Sequence, residues 1–165
     1  KDGLSHFCDD LFVRNNLDRT ALPYTGNVAV DGIMYRYDQL SRDSKIDFKY
    51  SGTIKNHNIS DIDLCVLLGN ALDNAYTACL SIPDNRSITV LCESEKELLT
   101  IIVRNSFNGV IKKEGDKFIS LKRGDRPGVG MSSMQSICDH YGGTMEQVWE
   151  DDVFTLMIML PNSGE

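Results

Sequence analysis

The amino-acid sequence predicts a two-layer α/β (α+β) sandwich, a mixed and largely antiparallel sheet covered on one face by helices. Three observations lead there. Segments with apolar residues at helical spacing alternate with shorter strand-like segments. The strands come in pairs, one joined by the charged turn Ser94-Glu95-Lys96-Glu97, as antiparallel hairpins do. The helical segments each carry a single apolar stripe, which calls for one layer packed on the sheet.

In chain order, Leu4 to Arg19 reads as a helix, with Leu4, Phe7, Cys8, Leu11 and Phe12 at helical spacing. Pro23 and Gly26 punctuate the chain before a second helix, Asn27 to Ser44, carrying Val28, Val30, Ile33, Met34, Tyr37 and Leu40. A short alternating strand follows, Ile46 to Tyr50, with Ile46 and Phe48 on one face. Ser60-Asp61-Ile62-Asp63 has the form of a capping box and opens a long helix that ends near Leu80, before Pro83-Asp84-Asn85. Strands are expected over Ser87–Glu93 and Leu98–Arg104, a helix over Ser132–His140, and two last strands over Thr144–Trp149 and Val153–Leu160.

The chain has 165 residues, 41% hydrophobic and 25% charged, enough for one domain with a short extra arm. No apolar run approaches the roughly 18 residues of a membrane helix, and no signal-peptide core is seen. The chain opens on Lys1 rather than Met, as a piece of a longer protein would. A net charge of −7 argues against nucleic acid as the main partner. The charge is uneven: Val110 to Pro127 holds six basic residues (Lys112, Lys113, Lys117, Lys122, Arg123, Arg126) against three acidic ones, a net +3 that leaves −10 elsewhere. Alone, such a run reads as a solvated loop. Placed directly before a pair of glycines, it also reads as a lid that faces phosphate. Five scattered cysteines, Cys8, Cys65, Cys79, Cys92 and Cys138, show no metal-ligand spacing and read as buried free thiols.

Two segments carry chemistry. In Arg126-Pro127-Gly128-Val129-Gly130-Met131, two glycines free the backbone amides at the start of a helix, an arrangement suited to phosphate oxygens. In Asn70-Ala71-Leu72-Asp73-Asn74-Ala75, the two asparagines stand at i and i+4 and can converge on one object. Leu64, Leu68, Ala71, Leu72, Ala75 and Cys79 form that helix's core stripe, whereas Asn70, Asn74 and Thr77 lie roughly 140° round it. Asparagine is a weak helix former, costing up to ~0.7 kcal/mol against alanine, so two in mid-helix call for a reason. One is a solvated face or a backbone-bonded amide pair. The other is a set of neutral oxygens facing a hard cation that also touches phosphate, for which magnesium is suited.

In this order, the two segments resemble the ATP-binding domain of sensor histidine kinases, in the GHKL superfamily shared with gyrase, mismatch-repair and chaperone ATPases. Leu67 to Ala75 resembles the N box, Gly128-Val129-Gly130-Met131 the second glycine box with methionine for leucine, and Gly142-Gly143 follows as expected. Tyr24-Thr25-Gly26-Asn27 to Asp31, leading to Ile46, resembles the approach to that domain in the Agr-type peptide-sensing subfamily.

The resemblance implies ATP and Mg2+ as cofactors. It makes Asn74 the magnesium ligand and sets Asn70 beside the triphosphate, where gyrase-like relatives place a catalytic glutamate. Gly128, Gly130 and the Met131 amide would cradle phosphate, and Lys122, Arg123 and Arg126 would neutralise it from the lid, Lys122 foremost. The first glycine box departs from its DxGxG form: here the stretch is Asn105-Ser106-Phe107-Asn108-Gly109. An amide oxygen on Asn105 can still accept from the adenine amino group, without the charge that roughly doubles such a bond. Thr77 stands where many relatives carry a basic phosphate ligand.

The resemblance further implies residues 1–22 as the end of a dimerisation helix and linker, and 23–165 as the catalytic domain. His6, His57 and His140 do not fit the phosphate acceptor, which is expected on a dimerisation segment outside the chain, in a homodimer that relays phosphate to a response regulator. The implied location is the cytoplasmic side of a membrane-anchored bacterial receptor kinase. Two other readings stay open: an anti-sigma-type serine kinase, and a non-catalytic nucleotide-sensing module of the same fold.

Overall fold

The structure is a computed structural model that describes residues 2–14, 25–55, 57–111, 113–114, 117–118 and 129–162. In chain order its elements are α1 (Asp2–Arg14), α2 (Val28–Asp43), β1 (Asp47–Thr53), α3 (Asp61–Leu80), β2 (Ser87–Glu95), β3 (Leu98–Ser106), β4 (Lys113–Glu114), β5 (Lys117–Phe118), α4 (Val129–His140), β6 (Thr144–Glu150) and β7 (Val153–Pro161). Five strands form one sheet in the order β1-β2-β3-β7-β6. Only β1 and β2 run parallel, with α3 as the crossover between them; every other pair is antiparallel. The short β4–β5 hairpin stands apart, within the segment read from sequence as a basic loop.

Helices α2, α3 and α4 form the expected layer on one face. Asn27 caps α2 by accepting from the Val30 amide at 3.1 Å, and Ser60 caps α3 by accepting from Asp63 at 3.1 Å. Between this layer and the sheet lies the main core, with Leu64, Leu68 and Leu72 of α3 packed against Ile88, Ile101, Val103 and Leu156.

The other face is not bare. On it α1 buries Cys8, Leu11 and Phe12 against Leu91, Ile102 and Met157, the strand residues that alternate with the inward ones. Arg104 holds α1 with an ion pair to Asp9 at 2.8 Å and lies 4.6 Å over the Phe12 ring. Coverage on both faces explains why β3 reads Leu99-Thr100-Ile101-Ile102-Val103 rather than alternating. The helix expected to reach Arg19 is described as far as Arg14, and the boundary expected at residues 22 and 23 lies outside the described residues.

Candidate functional site

Helix α3 points two asparagines away from its core stripe. Leu64, Leu68, Ala71, Leu72, Ala75 and Cys79 are buried, whereas Asn70, Asn74 and Thr77 are half-buried on the other stripe. The last turn of α3 is tied to the sheet by the Cys79 thiol, which donates to the Ser87 carbonyl at 3.3 Å and meets the Ser106 carbonyl at 3.5 Å. The asparagines therefore sit on a helix anchored to the ends of β2 and β3.

The glycine-box helix begins earlier than the sequence pattern indicated, at Val129, so Gly130 and Met131 form its first turn. This turn lies against Asn70. A Cβ built on Gly130 would stand 2.9 Å from Asn70 Oδ1, closer than side chains approach, so any larger residue here would displace the Asn70 amide from its present position. Met131 is half-buried against the core, and its sulfur faces the Gln147 side chain on β6 at 3.9 Å. Gln147 Oε1 is buried with no hydrogen-bond partner among the described residues. Sequence reasoning did not single out Gln147, which read only as one position of the strand expected over Thr144–Trp149.

Asn105 lies at the end of β3 and is 4% exposed. Its cross-strand partners Ile88 and Phe154 both belong to the inner core, so Asn105 faces the helical layer. Its Nδ2 donates to the Ser106 carbonyl at 3.0 Å. Gly109 is exposed at the same end of the sheet, where a Cβ would stand 3.3 Å from the Asp151 carbonyl in the β6–β7 turn. Lys122, Arg123, Arg126 and Gly128 lie outside the described residues.

Asn70, Asn74, Asn105, Gly130 and Met131 therefore belong to one inner layer, with the contact between Asn70 and Gly130 joining α3 and α4. Among the described residues no three His, Cys, Asp or Glu side chains group to hold a metal. A half-buried amide oxygen suits a magnesium ion whose other ligands come from phosphate and water. The donor set thus fits a cation carried in with its nucleotide.

At the far end of the same helices, Tyr141, directly after α4, donates to Asp63 Oδ2 at 2.6 Å. The Tyr141 and Ser60 hydroxyls, in that order, hold the Asp63 carboxyl below the usual carboxylate range. Tyr141 appears in the sequence only as part of the Tyr-Gly-Gly helix stop, with no pattern linking it to Asp63.

The model of the GHKL domain family matches residues 59–161, well over half of the chain. Among solved structures, the nucleotide-free catalytic domain of the histidine kinase ThkA aligns with a TM-score of 0.63 at 17% identity, covering 84% of this chain and 93% of that one. The Acinetobacter baumannii histidine kinase AdeS aligns with a TM-score of 0.64 at 16% identity, covering 98% and 80%. ThkA in complex with the response regulator protein TrrA aligns with a TM-score of 0.58 at 17% identity, covering 86% of this chain and 41% of that one. No curated protein matches the sequence. At these identities the structural likeness establishes the fold, and the family match over the α3-to-β7 region establishes membership: the chain belongs to the GHKL domain family.

Proposed function

We propose that this GHKL domain is the ATP-binding catalytic domain of a two-component sensor histidine kinase, passing the γ-phosphate of ATP to a histidine on a dimerisation segment outside the chain. The observation that carries the reading is the contact between Asn70 on α3 and Gly130 in the first turn of α4. It brings paired carboxamides and the amide end of a helix to one place, which is what a polyphosphate with its cation requires.

In this reading Asn74 holds magnesium, which when bound neutralises phosphate charge. Asn70 lies beside the triphosphate, and the amides of Gly128, Gly130 and Met131 receive phosphate oxygens. Lys122, Arg123 and Arg126 supply positive charge from the lid. Asn105 accepts from the adenine amino group next to Gly109. Positioning and charge neutralisation are most of what a protein contributes to phosphoryl transfer. The partners would be the histidine-bearing segment of a homodimer and a response regulator. No described helix is long and apolar enough to cross a membrane; the proposed place of the domain is the cytoplasmic side of a membrane-anchored kinase.

The test is calorimetric titration of ATP into the chain with magnesium and with chelator. The wild type should bind in a magnesium-dependent way. Asn74→Ala should lose that dependence while keeping its unfolding midpoint, because residue 74 faces away from the core stripe. Gly130→Val should lose binding by driving a side chain into Asn70 and the phosphate path. Undetectable binding by the wild type at millimolar nucleotide would overturn the reading. Metal-dependent binding by Asn74→Ala would overturn the ligand assignment. Addition of a separate dimerisation segment should then yield phosphohistidine; phosphoserine on a protein substrate instead would favour the anti-sigma-type kinase.

A further inference from the structure

The N-terminal cap of α3 is completed from another helix. In a capping box the acidic side chain three residues after the cap reaches back to the cap residue's own amide. Here the Ser60 amide donates instead to Tyr141 Oη at 3.1 Å, and that hydroxyl donates onward to Asp63 Oδ2 at 2.6 Å. Asp63 Oδ2 also accepts from Ser60 Oγ at 2.7 Å. The tyrosine hydroxyl thus stands inside the cap, satisfying one orphan amide of α3 and one carboxylate oxygen.

Its own placement is rigid. Tyr141 ends α4 in a Schellman turn: the Gly142 amide donates to the Asp139 carbonyl at 3.2 Å, the Gly143 amide to the Cys138 carbonyl at 2.7 Å, and Gly142 has φ +66°. Gly143 passes so close to the Met159 carbonyl of β7 that any side chain there would collide with it. A second tie, from Asn27 Nδ2 to Asp61 Oδ1 at 2.7 Å, links the cap of α2 to the same turn of α3. Asn70 lies seven residues beyond Asp63, about 10 Å along the axis at 1.5 Å per residue. Helices α3 and α4 therefore meet at a hydrogen-bonded pin at one end and at the contact of Asn70 with Gly130 at the other.

We propose that Tyr141 is a positioning residue: by completing the α3 cap from the end of α4, it sets the separation between the asparagines and the first-turn amides of α4. The proposal rests on the nucleotide reading above.

The experiment titrates a magnesium-bound, non-hydrolysable ATP analogue into the wild type, Tyr141→Phe, Asp63→Ala and Asp63→Asn, and measures the thermal midpoint of each without nucleotide. Cys138→Ala, which truncates a buried side chain under α4 but leaves the Cys138 carbonyl and both contacts in place, serves as a packing control. Tyr141→Phe and Asp63→Ala should bind roughly five- to tenfold more weakly, part of what a charge-assisted hydrogen bond supplies. Asp63→Asn, which keeps an acceptor oxygen, should recover most of the affinity. The control should lose thermal stability with affinity unchanged. Wild-type affinity in Tyr141→Phe would overturn the proposal while leaving the nucleotide reading intact. So would a control whose affinity falls in step with its stability, since that would reduce the pin to general packing. A wild type that does not bind removes the nucleotide reading, and the proposal with it.

Discussion

Among the described residues the inner face of the sheet meets three helices and the outer face one, and the strand residues differ to match. Ile88, Val90, Ile101 and Val103 look inward, whereas Thr89, Thr100, Arg104 and Thr155 interrupt the apolar residues that look outward. Leu156 and Ile158 look inward to α3 and α4, while Met157 between them looks outward to α1. The inner face carries at its rim Asn70 and Asn74 on α3, Asn105 at the end of β3, and the Gly130 turn at the start of α4. The outer face is held by a small apolar cluster and by Arg104. Both faces are thus covered, the inner by the larger core. What separates them is that neutral amide side chains and the first turn of α4 lie on the inner side, whereas the outer side carries a guanidinium already paired with Asp9.

The largest break in this comparison should come from cutting each core in turn. Leu72→Ala, fully buried beneath the asparagines, should cost about 2–5 kcal/mol in denaturant unfolding and weaken nucleotide binding as well. Leu11→Ala on α1 should cost about 2 kcal/mol, the low end of that range, because a lone helix on an open face can settle into the gap. Its nucleotide affinity should be unchanged. Equal losses of affinity in the two variants would erase the distinction between the faces.

A smaller effect isolates the polar grip on α1. Arg104→Ala removes the ion pair to Asp9, the bond to Thr155 Oγ1 and the contact over Phe12, all partly exposed, and should cost about 1 kcal/mol or less. Raising the salt concentration should shrink the difference between Arg104→Ala and the wild type.

The smallest effect is one of pH. The folded value of the Asp63 carboxyl is depressed, so the stability it lends is fully present above about pH 4, its unfolded range, and is lost as pH falls through the folded value. An NMR titration of Asp63 should show a midpoint below that of an ordinary aspartate, and Tyr141→Phe should move it upward. An unshifted midpoint in that variant would mean the hydroxyl contributes nothing to the carboxylate.

Much of the architecture was legible in local pattern. The asparagine helix, its serine cap, the two hairpins and the end of the glycine-box helix are where spacing and turn residues put them, because each depends on contacts within a few residues. The cover on the outer face was not. A stripe of Cys8, Leu11 and Phe12 states that α1 is buried somewhere, without saying on which side of which strand. The early start of α4 was also hidden, since glycines that can leave a helix can equally begin one. The role of Tyr141 needed two chain segments 78 residues apart to be seen together.

Sequence alone determined the class of fold, the order of its elements and the two segments that name the family, because helical and strand periods and glycine-rich helix starts are written in adjacent residues. Only the tertiary structure decided that Gly130 faces Asn70, that Tyr141 closes the cap of α3, and that α1 lies on the sheet's far side. Those three facts are distances between remote parts of the chain, fixed by how whole faces pack and not by the composition of any one of them.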